Sequence, residues 1–261
     1  MLEKCEISAI IPAYNECRRI EKAINITRES LYALTPFAEV IISEDGSSDG
    51  TYDIAAKLAE DNAETCLLHS DKRCGKGLAL KRAIKAAKGD IICFMDADMA
   101  TDMLYLPVLI DAIRVEEYDI AIASRLAPAS NIERSKTRSI ASKAYNTMVR
   151  LILRSRIYDH QCGFKAFKRS SILPILDQIK DDRWFWDTEM LVRAQFAGYK
   201  IKEIPVSWKE ADSTQFNLIK DSYDMGMKII KLWWDLANDR GTRCTCEESS
   251  LDCFVQEKKV N

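Results

Sequence analysis

Short apolar runs alternate with longer amphipathic stretches through the first half of the chain. Such runs are typical of strands buried on both faces of a parallel sheet, and an apolar spacing of three to four residues is typical of helices. Strands are predicted over residues 7–13, 40–43, 65–69, 91–95 and 120–123. Helices are predicted over residues 17–34, from Ser47 or Ser48 as N-cap through Glu60, over 77–88 with Gly89 as the stop, and after Asp102. This alternation predicts an α/β fold with a Rossmann-like, mostly parallel sheet and helices on both faces.

The second half of the chain is less regular. Helices are predicted over residues 136–153 and 188–197 and a strand over 201–206, and residues 162–167 form a further segment to which no element type is assigned. A long helix is predicted over residues 216–236, where an apolar stripe that includes Met227, Ile230 and Trp234 favours packing on the core. An interfacial helix is the alternative, which the acids Asp224 and Asp235 weaken. We expect one domain over residues 1–237 and a polar, flexible tail over 238–261.

Composition fits a soluble globular protein, with 47% hydrophobic and 30% charged residues and a net charge of −2. The charge says little about partners, and no nucleic-acid partner is expected. The nine cysteines are mostly scattered and no signal peptide is recognised, so reduced thiols in the cytoplasm are expected. No apolar run approaches the ~20 residues that span a bilayer. Cys244, Cys246 and Cys253 lack a fourth metal ligand at a recognised spacing.

Two carboxylates follow the most apolar of the predicted strands. Residues 91–95 lead directly into Asp96-Ala97-Asp98. Ligands of open α/β sheets bind outside the carboxyl ends of the strands, and Mg²⁺ or Mn²⁺ binds carboxylates together with phosphate and water. Asp96 and Asp98 are therefore candidate metal ligands. A solvated acidic turn is the alternative, and for an isolated pair it is the better one.

Other predicted strand ends carry polar groups that suit a nucleotide. Tyr14 and Glu16 follow the first strand, and Asp45 follows the second. Lys76 lies between two glycines at a predicted helix start, where an anion can bind. Arg125 follows the strand over 120–123, and its guanidinium could grip a phosphate with two parallel hydrogen bonds. Turn and capping chemistry explains each feature alone, but together they favour a nucleotide-binding cleft.

The ordered motifs P-A-Y-N-E, E-D-G-S-S-D-G-T, G-K-G, D-A-D and S-R resemble those of the inverting family 2 glycosyltransferases of GT-A fold. The later motifs D-H-Q-C-G-F-K, R-W-F-W-D-T-E and I-P-V-S-W resemble the dolichyl- or polyprenyl-phosphate glucosyltransferase and mannosyltransferase branch, and the glucosyl members most closely. The similarity extends over about residues 5–235.

The resemblance implies transfer of a hexose from a nucleotide-diphosphate sugar to dolichyl or polyprenyl phosphate. UDP-glucose is the first choice and GDP-mannose the second, with peripheral attachment to the cytoplasmic face of a membrane. Implied nucleotide-sugar-binding residues are Pro12, Ala13, Tyr14, Glu16, Asp45, Lys76, Asp96, Ala97, Asp98 and Arg125. Asp98 and Asp96 would hold Mg²⁺ or Mn²⁺, and Asp98, Arg125 and Asp187 are the implied catalytic residues.

The acceptor side departs from the family pattern. Many relatives have a Gly-Ser-Lys motif where this chain has residues 210–215, and Thr214 stands in place of the lysine, for which Lys209 could substitute. A phosphate acceptor needs cations but no strong base, since its second pKa is ~6. The expected cations are Arg134, Arg138, Lys165 and Lys209. The basic stretch over 125–169 also predicts membrane contact, with a solvated basic helix face as the alternative.

Three other functions fit parts of the sequence. A D-x-D-x-T phosphatase would need threonine where Ala100 stands, and Thr101 is one place late. A nucleotidyltransferase would need a glycine-rich loop where P-A-Y-N-E stands. A non-catalytic nucleotide-sugar binder would not need Asp96 and Asp98. A family 2 glycosyltransferase with a non-lipid glycan acceptor also stays open.

Overall fold

The computed structural model describes residues 5–209 and 224–238. The strands are β1 (Ile7–Ala13), β2 (Ala38–Glu44), β3 (Thr65–Leu68), β4 (Ile91–Met95), β5 (Ile120–Ser124), β6 (Asn131–Glu133), β7 (Phe164–Lys168), β8 (Ile201–Pro205) and β9 (Ser207–Lys209). The helices are α1 (Ile20–Tyr32), α2 (Thr51–Asp61), α3 (Lys76–Ala86), α4 (Leu106–Arg114), α5 (Lys136–Ile152), α6 (Arg169–Leu176), α7 (Trp186–Phe196) and α8 (224–238), with a 3₁₀ turn over Met103–Tyr105.

The central sheet has seven strands in the order β3-β2-β1-β4-β7-β5-β8. β7 runs antiparallel to β4 and β5, and the other pairs are parallel. Chain order reverses between β1 and β4, and this is the point at which open α/β sheets bind ligands. β6 and β9 form a separate two-stranded sheet. The predicted mostly parallel α/β fold is confirmed.

Local sequence explains why these strands lie at the centre. Every residue of β4 and β5 is buried, as the apolar runs predict. Two sets of helices cover the sheet: α1 contacts α2 and the 3₁₀ turn beside α4, whereas α3 contacts α6 and α7. α6 and β6 were not predicted, because α6 is short and contains Pro174, and β6 has three residues that pair only with β9.

Two predicted helix ends are wrong, namely the N-cap of α2 and the C-terminal stop of α3. Asp49, rather than Ser47 or Ser48, accepts the N–H of Thr51 at the start of α2, while Ser47 Oγ accepts the N–H of Asn15. α3 ends at Ala86, so Gly89 is not its stop. A Cβ at Gly89 would lie 2.6 Å from the backbone nitrogen of Ser8, so this glycine instead allows the chain to pass close to β1.

The prediction for the last helix is also wrong. Met227, Ile230 and Trp234 are exposed, and the buried residues of α8 are Met225, Ile229 and Leu232. These three belong to a second apolar cluster, together with Val149 of α5, Leu153 just beyond the end of α5, Phe185, and Val192 of α7. The neighbours supplied by α5 and α7, which periodicity alone does not reveal, decide which face of α8 is buried.

Some predictions concern residues outside the described ranges. They are the first part of the long helix, the region over 210–215 with Thr214, and the tail with Cys244, Cys246 and Cys253. The six cysteines within the described ranges are free thiols. No helix in residues 5–209 and 224–238 has the length and hydropathy required to cross a bilayer.

Candidate active site

A cleft of about 1270 Å³ opens at the carboxyl ends of β1, β2 and β4. Its first end is lined by the residues that follow these strands. Its second end is lined by α5, the loop before α7 and the start of the described part of α8. The volume suffices for a ligand larger than most drug-sized molecules. We refer to these two ends as the strand end and the helix end.

Three carboxylates meet at the strand end, those of Glu16, Asp96 and Asp98. The pKa of Asp98 lies above its ordinary value because the group is buried and because Asp96 repels its charge. Burial also raises the pKa of Glu16, and Asp98 and Asp96 add to that rise against the opposing effect of Arg19. Concentrated negative charge of this kind favours a bound cation.

The donor set fits a divalent cation that is shared with a substrate. Within the described ranges no group of three or more His, Cys, Asp or Glu side chains is arranged to hold a metal ion, so Glu16 is not counted as a third ligand beside Asp96 and Asp98. Mg²⁺ normally needs only one or two carboxylates when phosphate and water fill its other positions. Asp96 and Asp98 meet that requirement, and their role as ligands stays a prediction.

Lys76 is held by acidic groups inside the cleft. Its Nζ lies 2.6 Å from Asp96 Oδ1 and 4.0 Å from Asp187 Oδ2. Burial alone would lower the pKa of Lys76, but the two aspartates outweigh that effect and raise it. Lys76 therefore keeps its positive charge next to the candidate metal ligands.

Asp45 supports the loop that carries Lys76. The side chain is buried, and its two oxygens accept the backbone N–H groups of Cys74 and Gly75, each at 2.8 Å. Tyr14 and Glu16 lie in the same cleft wall, as predicted, together with Pro12, Ala13 and Ala97. The guanidinium of Arg73 stacks 3.8 Å from the centre of the Tyr14 ring, a contact that sequence reasoning missed.

Glu44, the last residue of β2, is buried beneath the turn that follows this strand. Its carboxylate accepts the N–H of Ser47 at 2.6 Å and contacts the ring Nδ1 of His69. Glu44 therefore holds the turn next to Asp45 and does not line the cleft.

Arg125 is committed to another residue, which corrects the expected bidentate grip on phosphate. Its Nε and Nη2 donate to Asp159 Oδ2 and Oδ1 at 2.7 and 2.9 Å. Burial alone would raise the pKa of Asp159, but the guanidinium lowers it to about 2. Arg125 still lines the cleft, yet its Nε–Nη2 edge, one of the two guanidinium edges that can bind phosphate through paired hydrogen bonds, is turned to Asp159.

Lys165 is not available to an acceptor phosphate, which is a second correction. The side chain is 0% exposed, and its Nζ donates to Asp187 Oδ1 at 2.5 Å and to the carbonyl of Cys162. β7 directs Lys165 into the interior, where it lies over the ring of Phe94. Asp187, the candidate catalytic residue, lies in the first turn of α7 and lines the cleft between two lysines.

Of the remaining cations expected at the acceptor phosphate, two line the cleft and one lies outside it. Arg134 and Arg138 line the cleft, and Arg134 lies over the ring of Trp208. Lys209 is 81% exposed and pairs with Glu133 outside the cleft lining. The case for Lys209 as the substitute lysine is therefore weakened, whereas Arg134 and Arg138 are suitably placed.

Gly163 is a site residue that sequence reasoning did not single out. Its carbonyl accepts the N–H of Asp96 at 3.0 Å, and a Cβ built on it would lie 1.8 Å from Asp96 Oδ2. Only glycine leaves room for the Asp96 carboxylate. Gly163 belongs to the D-H-Q-C-G-F-K motif, which is visible in the sequence. The sequence alone does not show that this glycine lies against D-A-D.

Comparisons with known proteins agree with this geometry. The model of the glycosyl transferase family 2 matches residues 8–175. The chain is 46% identical over 233 residues to the glycosyltransferase AglD of Haloferax volcanii, which covers 88% of this chain and 37% of that relative. The chain thus spans little more than a third of that protein.

A second relative is covered over most of its length. The dolichyl-phosphate beta-glucosyltransferase ALG5A of Trichomonas vaginalis is 32% identical over 235 residues, which are 87% of this chain and 72% of the relative. Among solved structures, glucosyl-3-phosphoglycerate synthase from Mycobacterium tuberculosis, in complex with Mn²⁺, UDP-glucose and phosphoglyceric acid, superimposes with a TM-score of 0.63. It is 19% identical and covers 87% of this chain and 78% of its own, so this likeness concerns the fold.

Proposed function

The chain belongs to glycosyl transferase family 2, and on that premise we propose that it transfers glucose from UDP-glucose to the phosphate of a dolichyl or polyprenyl phosphate. The observation that carries the proposal is the cluster of Asp96, Asp98 and Lys76 at the junction of β1 and β4. This cluster provides cation ligands and a fixed positive charge where a nucleoside diphosphate leaves the sugar.

The strand end of the cleft is the binding site for the nucleotide-sugar donor in this proposal. Tyr14, Glu16 and Asp45 form the wall that holds the nucleoside, and Lys76 faces the diphosphate. Asp98, with Asp96, would hold Mg²⁺ or Mn²⁺, which would supply charge stabilisation for the leaving diphosphate.

The acceptor oxygen needs no deprotonation by the protein, because a phosphate monoester is largely dianionic above a pKa of about 6. Asp187 fits this view as a positioning residue, since its carboxylate is occupied by Lys165 and lies near Lys76. Arg134 and Arg138 are the cations at the helix end that are suited to the acceptor phosphate.

The choice of UDP-glucose is supported by the relatives. Several similar proteins are dolichyl-phosphate beta-glucosyltransferases, including that of Saccharomyces cerevisiae at 30% identity. GDP-mannose is the second candidate donor. We infer that the enzyme acts peripherally at the cytoplasmic face of a membrane and that residues 1–237 form its catalytic domain.

A non-lipid acceptor is the second candidate. The similar fold that binds UDP-glucose also binds phosphoglyceric acid, a small water-soluble phosphorylated acid. The helix end of the cleft in this chain carries Arg134 and Arg138, which suit either kind of phosphate.

A panel of radiolabelled nucleotide sugars tests the proposal. The full chain is incubated with each donor, polyprenyl phosphate and Mg²⁺ or Mn²⁺, and the label is counted after extraction into organic solvent. We expect label from UDP-glucose in the lipid phase only when a divalent cation is present. Label that enters only water-soluble products, with phosphoglyceric acid or a glycan as acceptor, would contradict the lipid acceptor.

A further inference from the structure

The outer face of α8 is unusually apolar for an exposed helix. Met227, Ile230, Trp233 and Trp234 are exposed, Trp234 to 62%. The opposite face is buried against α5 and α7, so the exposed stripe is not the core face of the helix. Tryptophan carries an apolar body and an N–H donor, and it is enriched where proteins meet membrane interfaces.

α5 adds a second outer face, which is apolar and basic. Ile140 and Leu151 are 68% and 75% exposed, and their spacing places them on one side of the helix. Lys143 and Arg150 are exposed between them. The sequence of α5 contains no acidic residue, so its charge is complementary to an anionic surface.

The acids of α8 do not oppose this view, although they weaken an interfacial helix when only the sequence is considered. Asp235 pairs with Lys180 at 2.7 Å, and Asp224 pairs with Lys228 at 2.6 Å. Their charges are balanced by lysines of the protein. Lys231, in contrast, is exposed on α8.

The same helices form the walls of the helix end of the cleft. Arg138, Ser142 and Tyr145 of α5 and Met225 and Lys228 of α8 line it. α5 and α8 also pack on each other through Val149, Leu153 and Ile229. A partner that contacts the outer faces of α5 and α8 therefore lies beside the helix end of the cleft, where we expect the acceptor to enter.

We propose that the outer faces of α5 and α8 form the surface on which this chain docks to an anionic lipid bilayer. We refer to this part of the protein as the docking surface. It consists of Ile140, Lys143, Arg150 and Leu151 of α5 and Met227, Ile230, Lys231, Trp233 and Trp234 of α8. The inference rests on the proposed function, since only a lipid-borne acceptor requires the cleft to open beside a bilayer. The basic charge and the paired acids favour a bilayer over a second copy of the chain.

Vesicle flotation of the full chain tests the proposal without any acceptor. Vesicles of phosphatidylcholine alone are compared with vesicles that also contain phosphatidylserine. Variants are Trp233→Ser with Trp234→Ser, and Lys143→Gln with Arg150→Gln. The matched control is Leu104→Ser with Val115→Ser, two apolar residues near α4 that are more exposed than the tryptophans and lie outside the proposed surface.

We expect the unchanged chain and the control to float with the anionic vesicles. Loss of two basic residues should weaken binding about 30-fold, because each is worth about 1 kcal/mol near an anionic surface. The tryptophan variant should lose binding to both kinds of vesicle. Binding by that variant equal to that of the unchanged chain, or no flotation of the unchanged chain, would overturn the proposal.

Two further measurements separate this inference from the proposed function. Transfer to a short-chain, water-soluble polyprenyl phosphate should stay unchanged in the surface variants, while transfer to the same headgroup in vesicles falls in parallel with binding. If the chain floats but glucosylates no polyprenyl phosphate, the proposed function fails and the docking surface stands. If light scattering shows a dimer that the tryptophan variant makes monomeric while vesicle binding persists, the surface belongs to a second copy and the docking proposal is wrong.

Discussion

The two ends of the cleft are built in different ways. At the strand end, parallel pairing of β1 with β4 and with β2 aligns the residues that follow each strand, so Tyr14, Asp45 and Asp96 converge. At the helix end, α5, the loop before α7 and α8 supply the wall, to which Arg138 of α5 contributes a cation. Parallel register therefore brings polar residues of different strands together, whereas the role of a basic side chain also depends on its partner: Arg125, which follows β5, and Lys165, on β7, pair with aspartates distant in the chain.

The largest expected effect concerns the Arg125–Asp159 pair. It tests whether Arg125 is a structural cation rather than one that binds substrate. Asp159→Asn should lower the free energy of unfolding at pH 7 by about 3–5 kcal/mol, because the buried Arg125 loses its carboxylate partner. Chemical denaturation measures this change. Asp177→Asn is the matched control, since its pair with Lys85 is largely exposed and should contribute less than about 1 kcal/mol.

The same pair predicts a pH dependence. The pKa of Asp159 is about 2 in the folded chain, below the ordinary value. A lowered carboxylate pKa stabilises the fold above the unfolded pKa of about 4, and this stability is lost as the pH falls toward 2. The unchanged chain should therefore lose about 2 kcal/mol of its free energy of unfolding through this group between pH 4 and 2. Equal acid sensitivity in Asp159→Asn would contradict the assignment.

The next effect tests the strand end. Asp98→Ala should reduce metal-dependent transfer about 10²–10³-fold, because stabilisation of the developing charge is lost. The thermal midpoint should change little, since the side chain accepts one local N–H, from Ala100 at 3.1 Å. Asp102→Asn, a nearby carboxylate that caps the 3₁₀ turn, is the control and should keep its activity. Full activity in Asp98→Ala would remove the metal assignment.

Gly163 lies against Asp96 at the strand end, and its substitution should have a somewhat smaller effect. The added Cβ of Gly163→Ala would overlap the Asp96 carboxylate, which must then move. A displacement of about 1 Å can cost about 100-fold in rate. Steady-state kinetics with titrated Mn²⁺ should show lower activity and a higher metal requirement. Gly226→Ala, where nothing lies within 4 Å of the new Cβ, should behave like the unchanged chain.

The smallest expected effect compares two cations at the helix end. Arg138→Gln should raise the acceptor KM about fivefold while the donor KM stays constant, as expected for the loss of about 1 kcal/mol of charge attraction. Lys209→Gln should change neither constant by more than about twofold, because exposed ion pairs contribute little. A larger effect of Lys209→Gln would return this residue to the acceptor site.

The difference between strand register and contacts distant in the chain also explains which parts of the site can be predicted from the sequence. The apolar runs predict the strands, and the rule that ligands bind at strand ends brings Glu16, Asp45, Asp96 and Asp98 to one cleft, where their binding roles stay predictions. Lys165 and Arg125 could not be assigned in this way, because their partners Asp187 and Asp159 are 22 and 34 residues away. The exposed stripe of α8 was misassigned for a similar reason, since periodicity shows that a helix is amphipathic without showing which neighbour covers it.

The central claim is that Asp98 and the ends of β1, β2 and β4 form a cation-dependent nucleotide-sugar site. Titration calorimetry of UDP-glucose into the full chain, without acceptor, tests it most directly. The account predicts that binding weakens at least about tenfold, or 1.4 kcal/mol, when Mn²⁺ is removed and likewise in Asp98→Ala with Mn²⁺ present. Equally tight binding in all three titrations would contradict the claim.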